Sequence, residues 1–119
     1  RIVHLLVKNF NQIQAPWTSV RISHHLEVPI RLVHQILFDL VSTGLVTETI
    51  LDEKRDKGYQ PGRDPDTLYI NTVIDVLEKK GADEIPVAQS SELKSLSKSL
   101  EEFKELVEAS PANRRLKEI

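Results

Sequence analysis

The segment WTSVRISHHLEVPIRLVHQILFDLVSTGLVTET, residues 17–49, carries the signals of two helices, a tight turn and a strand. Thr18 or Ser19 can cap the first helix by accepting hydrogen bonds from its free N–H groups. Pro29 suits the first turn of the second helix, and Gly44 can adopt the left-handed conformation in which helices end. Residues 45–50 then alternate between apolar and polar side chains, which predicts a strand with one buried face.

Apolar residues in this segment recur at the spacing of one helix face. We expect the first helix to bury Val20, Ile22, His25 and Leu26, and the second to bury Ile30, Val33, Leu37, Leu40 and Val41. A charged turn, residues 52–58, and a short strand from Tyr59 complete a hairpin. This order predicts a winged helix-turn-helix, in which the second helix is presented to a partner and the hairpin is the wing.

The rest of the chain predicts further helices around this unit. Residues 1–12 are expected to form a helix, residues 67–70 a short edge strand, and residues 71–80 a helix with Val73, Ile74 and Leu77 inward. We expect a winged-helix domain over residues 1–81, a linker over 82–89, and a C-terminal helix within 90–119 that packs on the domain or on a partner. The predicted fold class is mostly α with a small β-hairpin wing.

Composition limits the chemistry that this chain can perform. Its 119 residues include no cysteine, which excludes disulfides, thiolate metal sites and a thiol nucleophile. The net charge is −2, and neither half of the chain shows the basic excess that is usual in DNA-binding domains. The chain begins with Arg1 and contains no methionine, so we expect it to be a domain of a longer protein.

The sequence shows no pattern for catalysis or for binding a metal or cofactor. Its four histidines lack the spacing of zinc ligands, and the neighbours His24 and His25 point to different sides of a helix. Its four glycines are expected at turns and helix ends, without the spacing of a phosphate-binding loop. We therefore predict no catalytic, metal-binding or cofactor-binding residue in this domain.

The second helix and the wing hold the candidate contact residues. Arg31, Gln35 and Phe38 point away from the buried stripe, and Arg and Gln can bind guanine and adenine edges in a major groove. Lys54 and Arg55 lie in the wing among acidic residues. Because this surface is nearly neutral and includes a large aromatic ring, the sequence favours a protein partner, with nucleic acid as the alternative.

The last helix carries a narrow apolar stripe at three- and four-residue spacing. Its candidate self-association residues are Leu100, Phe103, Leu106 and Val107. The stripe could pack on the domain's own core or pair with a second copy of the chain. We favour a mixed arrangement, in which the beginning of the stripe packs internally and the residues from Phe103 onward contact a second chain.

Two resemblances extend these predictions. The stretch GYQPGRDPDTLYINTVIDVLE resembles iron–sulfur-sensing winged-helix repressors, but the cysteines with which those proteins hold their cluster are absent. The segments ISHHLEVPIRLVHQILFDLVSTGLV, YQPGRD, IPVAQSSEL and SPANRRLKEI resemble the cytoplasmic C-terminal extension of YihY/BrkB-type inner-membrane proteins, labelled ribonuclease BN. That resemblance implies a domain at the cytoplasmic face of the inner membrane, attached only through an N-terminal portion outside this chain.

These observations together predict a non-catalytic winged-helix module of a larger membrane protein, acting through protein contacts or as a homodimer. A DNA- or RNA-binding winged helix is the alternative. The tRNA-processing ribonuclease that the family label implies is less favoured, because no residue of the chain can be assigned to hydrolysis.

Overall fold

The computed structural model describes residues 1–52, 54–82 and 87–119, with the side chain of residue 82 left out. The helices are α1 (Ile2–Asn11), α2 (Ser19–Leu26), α3 (Ile30–Ser42), α4 (Ile70–Ala82) and α5 (Ser91–Ala109). Strands β1 (Val46–Ile50) and β2 (Lys57–Pro61) form an antiparallel hairpin, and 3₁₀ turns occur at Pro65–Thr67 and Leu116–Glu118. The predicted winged helix-turn-helix with a long C-terminal helix is confirmed. Residue 53 of the predicted wing and residues 83–86 of the predicted linker lie outside the described residues.

The turn between α2 and α3 is built from local hydrogen bonds. The Thr18 hydroxyl caps α2 by accepting from the backbone N–H of Arg21 at 3.3 Å. Glu27 then ends the helix in the left-handed conformation, at φ 54°. The Ser23 hydroxyl donates to the carbonyl of Val28 at 2.6 Å, and Pro29 precedes the first turn of α3. These contacts set the angle at which α3 leaves the turn.

The core lies beneath α3 and is closed by α1, α2 and the hairpin. Its fully buried side chains are Leu6, Val7, Ile22, Val33, Leu37, Leu45, Val46 and Leu68. The predictions that Val20 and His25 are buried are wrong, since Val20 is 56% exposed and His25 also lies at the surface. Val20 is two residues from Ile22 and therefore on the opposite side of a helix of 3.6 residues per turn. His25 instead packs edge-on against the Trp17 ring, with ring centroids 4.9 Å apart.

On α3 and α4, some residues of the predicted apolar stripes are also exposed. Ile30 at the start of α3 is exposed, and Val41 near its end is half-buried. On α4, Val73 packs against the core, whereas Ile74 and Leu77, predicted to face inward, are exposed. They line a cavity between α4 and α3 that no side chain of the described residues fills.

The hairpin is attached to the helices by backbone contacts. Val46 pairs with Pro61 and Ile50 with Lys57 at the two ends of its ladder. Tyr59 donates its backbone N–H to the carbonyl of Trp17 at 2.8 Å, which joins β2 to the start of α2. Gly62 must be glycine, because a Cβ there would lie 2.5 Å from the carbonyl oxygen of Gly44.

The C-terminal residues complete the core. Leu116 is buried, and its N–H donates to the carbonyl of Leu68 at 2.9 Å. The N–H of Ile70 donates to the carbonyl of Arg114 at 3.0 Å, so the edge strand predicted over residues 67–70 is a single bridge, Tyr69 to Arg115. The pairing of Tyr69 with Arg115 was not predicted.

Helix α5 lies along the outside of the domain. None of its residues is buried, and the molecule extends 57 Å along its longest axis. Leu93, the first residue of the apolar stripe, is half-buried, but the expectation that the beginning of the stripe packs internally is wrong for Leu96 and Leu100, which are as exposed as Phe103. An ion pair between Lys104 and Asp75, at 3.4 Å, ties α5 to α4.

Candidate nucleic-acid interface

Helix α3 presents one polar face to solvent. Arg31, Gln35 and Phe38 are exposed on it, and Phe38 is 72% exposed, while Val33 and Leu37 anchor the opposite face in the core. Arg31 and Gln35 are four residues apart and therefore neighbours on the helix surface. The structure thus places three of the five predicted contact residues on one continuous face.

A groove separates this face from the hairpin. It has a volume of about 560 Å³ and is lined by Thr18, Ser19, Val20, His34, Leu37, Phe38, Glu48, Asp56, Lys57 and Tyr59. The α2 end of the groove is a helix N-terminus, whose free N–H groups favour a negative ligand. The groove therefore combines the aromatic rings of Phe38 and Tyr59, a lysine and a helix end with two carboxylates.

The other two predicted contact residues lie at the hairpin tip. Lys54 and Arg55 are exposed, and Arg55 has φ 60° in a turn where its N–H donates to the carbonyl of Asp52 at 3.0 Å. They do not line the groove. The hairpin residues that line it are Glu48, Asp56, Lys57 and Tyr59. The structure therefore brings Lys57, rather than Lys54 or Arg55, close to α3.

His34 and Ser19 belong to this surface and were not predicted as contact residues. The ring Nε2 of His34 lies 3.0 Å from the hydroxyl oxygen of Ser19, which joins α3 to the first residue of α2. Since His34 is three residues after Arg31 and four before Phe38, the helical spacing of the predicted contacts could have identified it.

Lys80 at the end of α4 reaches the exposed face of α3. Its Nζ lies 2.8 Å from the Asp39 carboxylate and 2.7 Å from the Ser42 hydroxyl, and 5.6 Å from the centre of the Phe38 ring. The lysine offsets the charge of Asp39, the acidic residue on this face. It also fixes the C-terminal end of α3 to α4.

The carboxylate of Glu48 on the hairpin interacts with Lys57 and Tyr59. Glu48 lies 3.7 Å from the ammonium group of Lys57. Burial, followed by the charge of Glu48 and a hydrogen bond to it, raises the pKa of the Tyr59 phenol. Tyr59 therefore stays a neutral hydrogen-bonding group at the floor of the groove.

The described residues contain no group of three or more His, Asp or Glu side chains placed to hold a metal ion. In the same part of the chain, no helix is long and apolar enough to cross a membrane.

Comparison with known structures identifies the architecture. The chain is similar to IscR from T. potens, with a TM-score of 0.57 and 19% identity over 87% of this chain and 69% of that one. It is also similar to CymR, the global cysteine regulator of B. subtilis, with a TM-score of 0.62 and 20% identity over 97% of this chain and 84% of that one. The fold is that of the winged-helix regulators. No protein-family model matches the chain, and no curated protein gives a significant match to its sequence.

These findings correct the predicted setting of the domain. The likeness to winged-helix repressors is supported at the level of the fold, whereas an origin in YihY/BrkB-type proteins and the ribonuclease label receive no support. The predicted location at the cytoplasmic face of the inner membrane, which depended on that origin, is wrong. The two structures named above are winged-helix regulators that match this chain over most of its length.

Proposed function

We propose that this chain binds duplex DNA through α3 and the hairpin, and that it does so as a dimer joined by α5. The observation that carries the proposal is the exposed face of α3. Arg31 and Gln35 stand one turn apart near the N-terminal end of a helix whose other face is locked into the core. That is the arrangement in which helix-turn-helix proteins bring side chains to base edges in the major groove. Arg and Gln are residue types that bind guanine and adenine there.

The charges around α3 set the expected strength of binding. Arg31 on the helix, Lys57 beside the groove and Lys54 and Arg55 at the hairpin tip are the cations proposed to contact phosphates. With so few cations and a chain of net charge −2, one copy alone should bind weakly and lose affinity with salt. Two copies on adjacent half-sites would double the number of phosphate contacts, which is why the proposal includes a dimer.

The dimer part of the proposal comes from α5. Its stripe of large apolar side chains, Leu96, Leu100, Phe103, Leu106 and Val107, is exposed in the single chain. Burying such a side chain contributes about 1.5–3 kcal/mol. A stripe at three- and four-residue spacing suits a second helix of the same kind.

Fluorescence anisotropy tests the DNA part. A labelled pool of random-sequence duplexes should bind the native chain at low salt, and Arg31→Ala and Arg55→Ala should each weaken binding and reduce its salt slope by about 1. Lys98→Ala is the matched control, because it removes the same charge from α5, away from α3 and the hairpin. Absence of binding at low salt, or equal losses in all three variants, would contradict the proposal.

A further inference from the structure

A second cavity lies between α1, α3 and α4, with a volume of 390 Å³. Leu32, Ile36 and Leu40 line it from α3, and Val73, Ile74 and Leu77 line it from α4. Sites for small molecules in proteins are commonly about 300–1,000 Å³ and mostly apolar. This cavity has the size and the walls of such a site.

In the described part of the chain, the ionisable side chains that line the cavity come from two residues. Arg1 and His4 are its only ionisable lining residues among those that the structure describes, and neither is acidic. The Nε2 atom of His4 is buried and makes no hydrogen bond within the described residues. A buried polar atom without a partner costs free energy, which a ligand atom placed beside it would recover.

The charge of His4 also bears on the ligand. Burial, and then the positive charge of Lys8, lower its pKa, so the neutral imidazole is favoured at neutral pH. A neutral imidazole can donate one hydrogen bond to a carboxylate, while the Arg1 guanidinium supplies the positive charge.

We propose that this cavity binds a small amphipathic anion, made of an apolar body and one carboxylate. The apolar body would lie between α3 and α4, and the carboxylate would lie between Arg1 and His4. The positive charge among the lining residues selects an anion over a neutral apolar molecule of the same size.

The position of the cavity gives such a ligand a second consequence. Three of the lining residues lie on α3, on the side of the helix next to the one that carries Arg31 and Gln35. A ligand that contacts them can favour one position of α3 over another, and so change affinity for DNA. This consequence depends on the proposed DNA binding, whereas the binding of the anion does not.

Calorimetric titration without DNA tests the binding itself. Decanoate should bind at one saturable site, and decan-1-ol, which has the same body without the charge, at least about tenfold more weakly. Leu77→Trp should abolish decanoate binding by filling the cavity. Leu51→Trp is the matched control, since Leu51 lies on the hairpin and is exposed to the same extent, 37%.

A second variant keeps the test informative if Leu77→Trp does not fold. Arg1→Gln leaves the apolar walls intact and should lower decanoate affinity towards that of decan-1-ol. Unchanged binding in Leu77→Trp or Arg1→Gln, equal affinity for the two probes, or no saturation would overturn the proposal. Binding of decanoate by a monomeric variant but not by a dimer would also overturn it, because the cavity would then belong to the contact between two copies.

Discussion

Lys80 is the residue through which α4 influences the surface of α3. Its ammonium group lies within hydrogen-bonding distance of Asp39 and Ser42. Lys80→Met should leave the Asp39 carboxylate without this partner, on the face of α3 that is proposed to contact DNA. We expect DNA affinity to fall by about 0.2–1 kcal/mol, the size of a surface ion pair. Anisotropy titration measures it, and adding Asp39→Asn to Lys80→Met should restore the affinity.

Lys79→Met is the control for this prediction, because Lys79 pairs with Asp75 on α4 rather than with α3. Equal losses in the two single variants would mean that only the net charge of the chain matters.

The exposure of Arg31, Gln35 and Phe38 was predictable, since helical periodicity determines which side of α3 is buried. The contact between Lys80 and Asp39 was not, because it joins residues 41 positions apart and depends on the direction of α4.

At the scale of elements, Asp75 is the main polar link between α4 and α5. It lies 3.2 Å from the ammonium group of Lys79 and 3.4 Å from that of Lys104. Burial raises the pKa of this carboxyl, but the hydrogen bonds from Lys79 and Lys104 outweigh it and hold the pKa below its usual range. The ionised form is therefore favoured in the folded chain.

The sign of this shift predicts an acid-sensitive contact. A carboxyl whose pKa is lower in the folded than in the unfolded chain adds stability above its unfolded pKa of about 3.9, and loses it as the pH falls through its folded pKa. Thermal unfolding followed from about pH 5 to about pH 2 should therefore show a smaller acid-induced loss in Asp75→Asn than in the native chain. Glu105→Gln, the same charge change on α5 instead of α4, should retain the native loss. Identical pH profiles for Asp75→Asn and the native chain would refute the prediction.

The elements also show where sequence patterns stop being informative. The apolar stripe of α5 was identified correctly from its spacing, but spacing does not state what covers a stripe, and Leu96 is exposed rather than packed on the domain. Likewise, α2 has only two turns, so two residues, Ile22 and Leu26, reach the core from it. In a helix this short, the apolar pattern repeats too few times to show which apolar residues are buried.

The whole molecule is elongated, and its protruding helix makes the oligomeric state testable. If α5 joins two copies, Leu100→Asp should convert a dimer to a monomer in light scattering at micromolar concentration while the winged helix stays folded. Lys98→Asp introduces the same side chain two residues away, on the opposite side of α5, with a larger change in net charge, and should leave the dimer intact. A monomeric native chain, or a dimeric Leu100→Asp variant, would exclude α5 as the contact.

At this scale the order of elements was predictable, because caps, turns and periodicity in residues 17–49 all indicated the same fold. The predicted membrane setting was not correct. It depended on a resemblance to YihY/BrkB-type proteins and not on the caps, turns or periodicity of the chain. The candidate site was predicted in part. The face of α3 follows from one helix, whereas the groove needs α2, α3 and the hairpin in their folded arrangement.

The pairing of Leu116 with Leu68 has a consequence for how the chain is made. The last 3₁₀ turn packs against α1, so the first and last elements of the chain close the same core. During synthesis from the N-terminus, α1 emerges first and must wait for Leu116 before its buried face is fully covered. Folding of this domain on the ribosome should therefore finish only after Leu116 has left the exit tunnel.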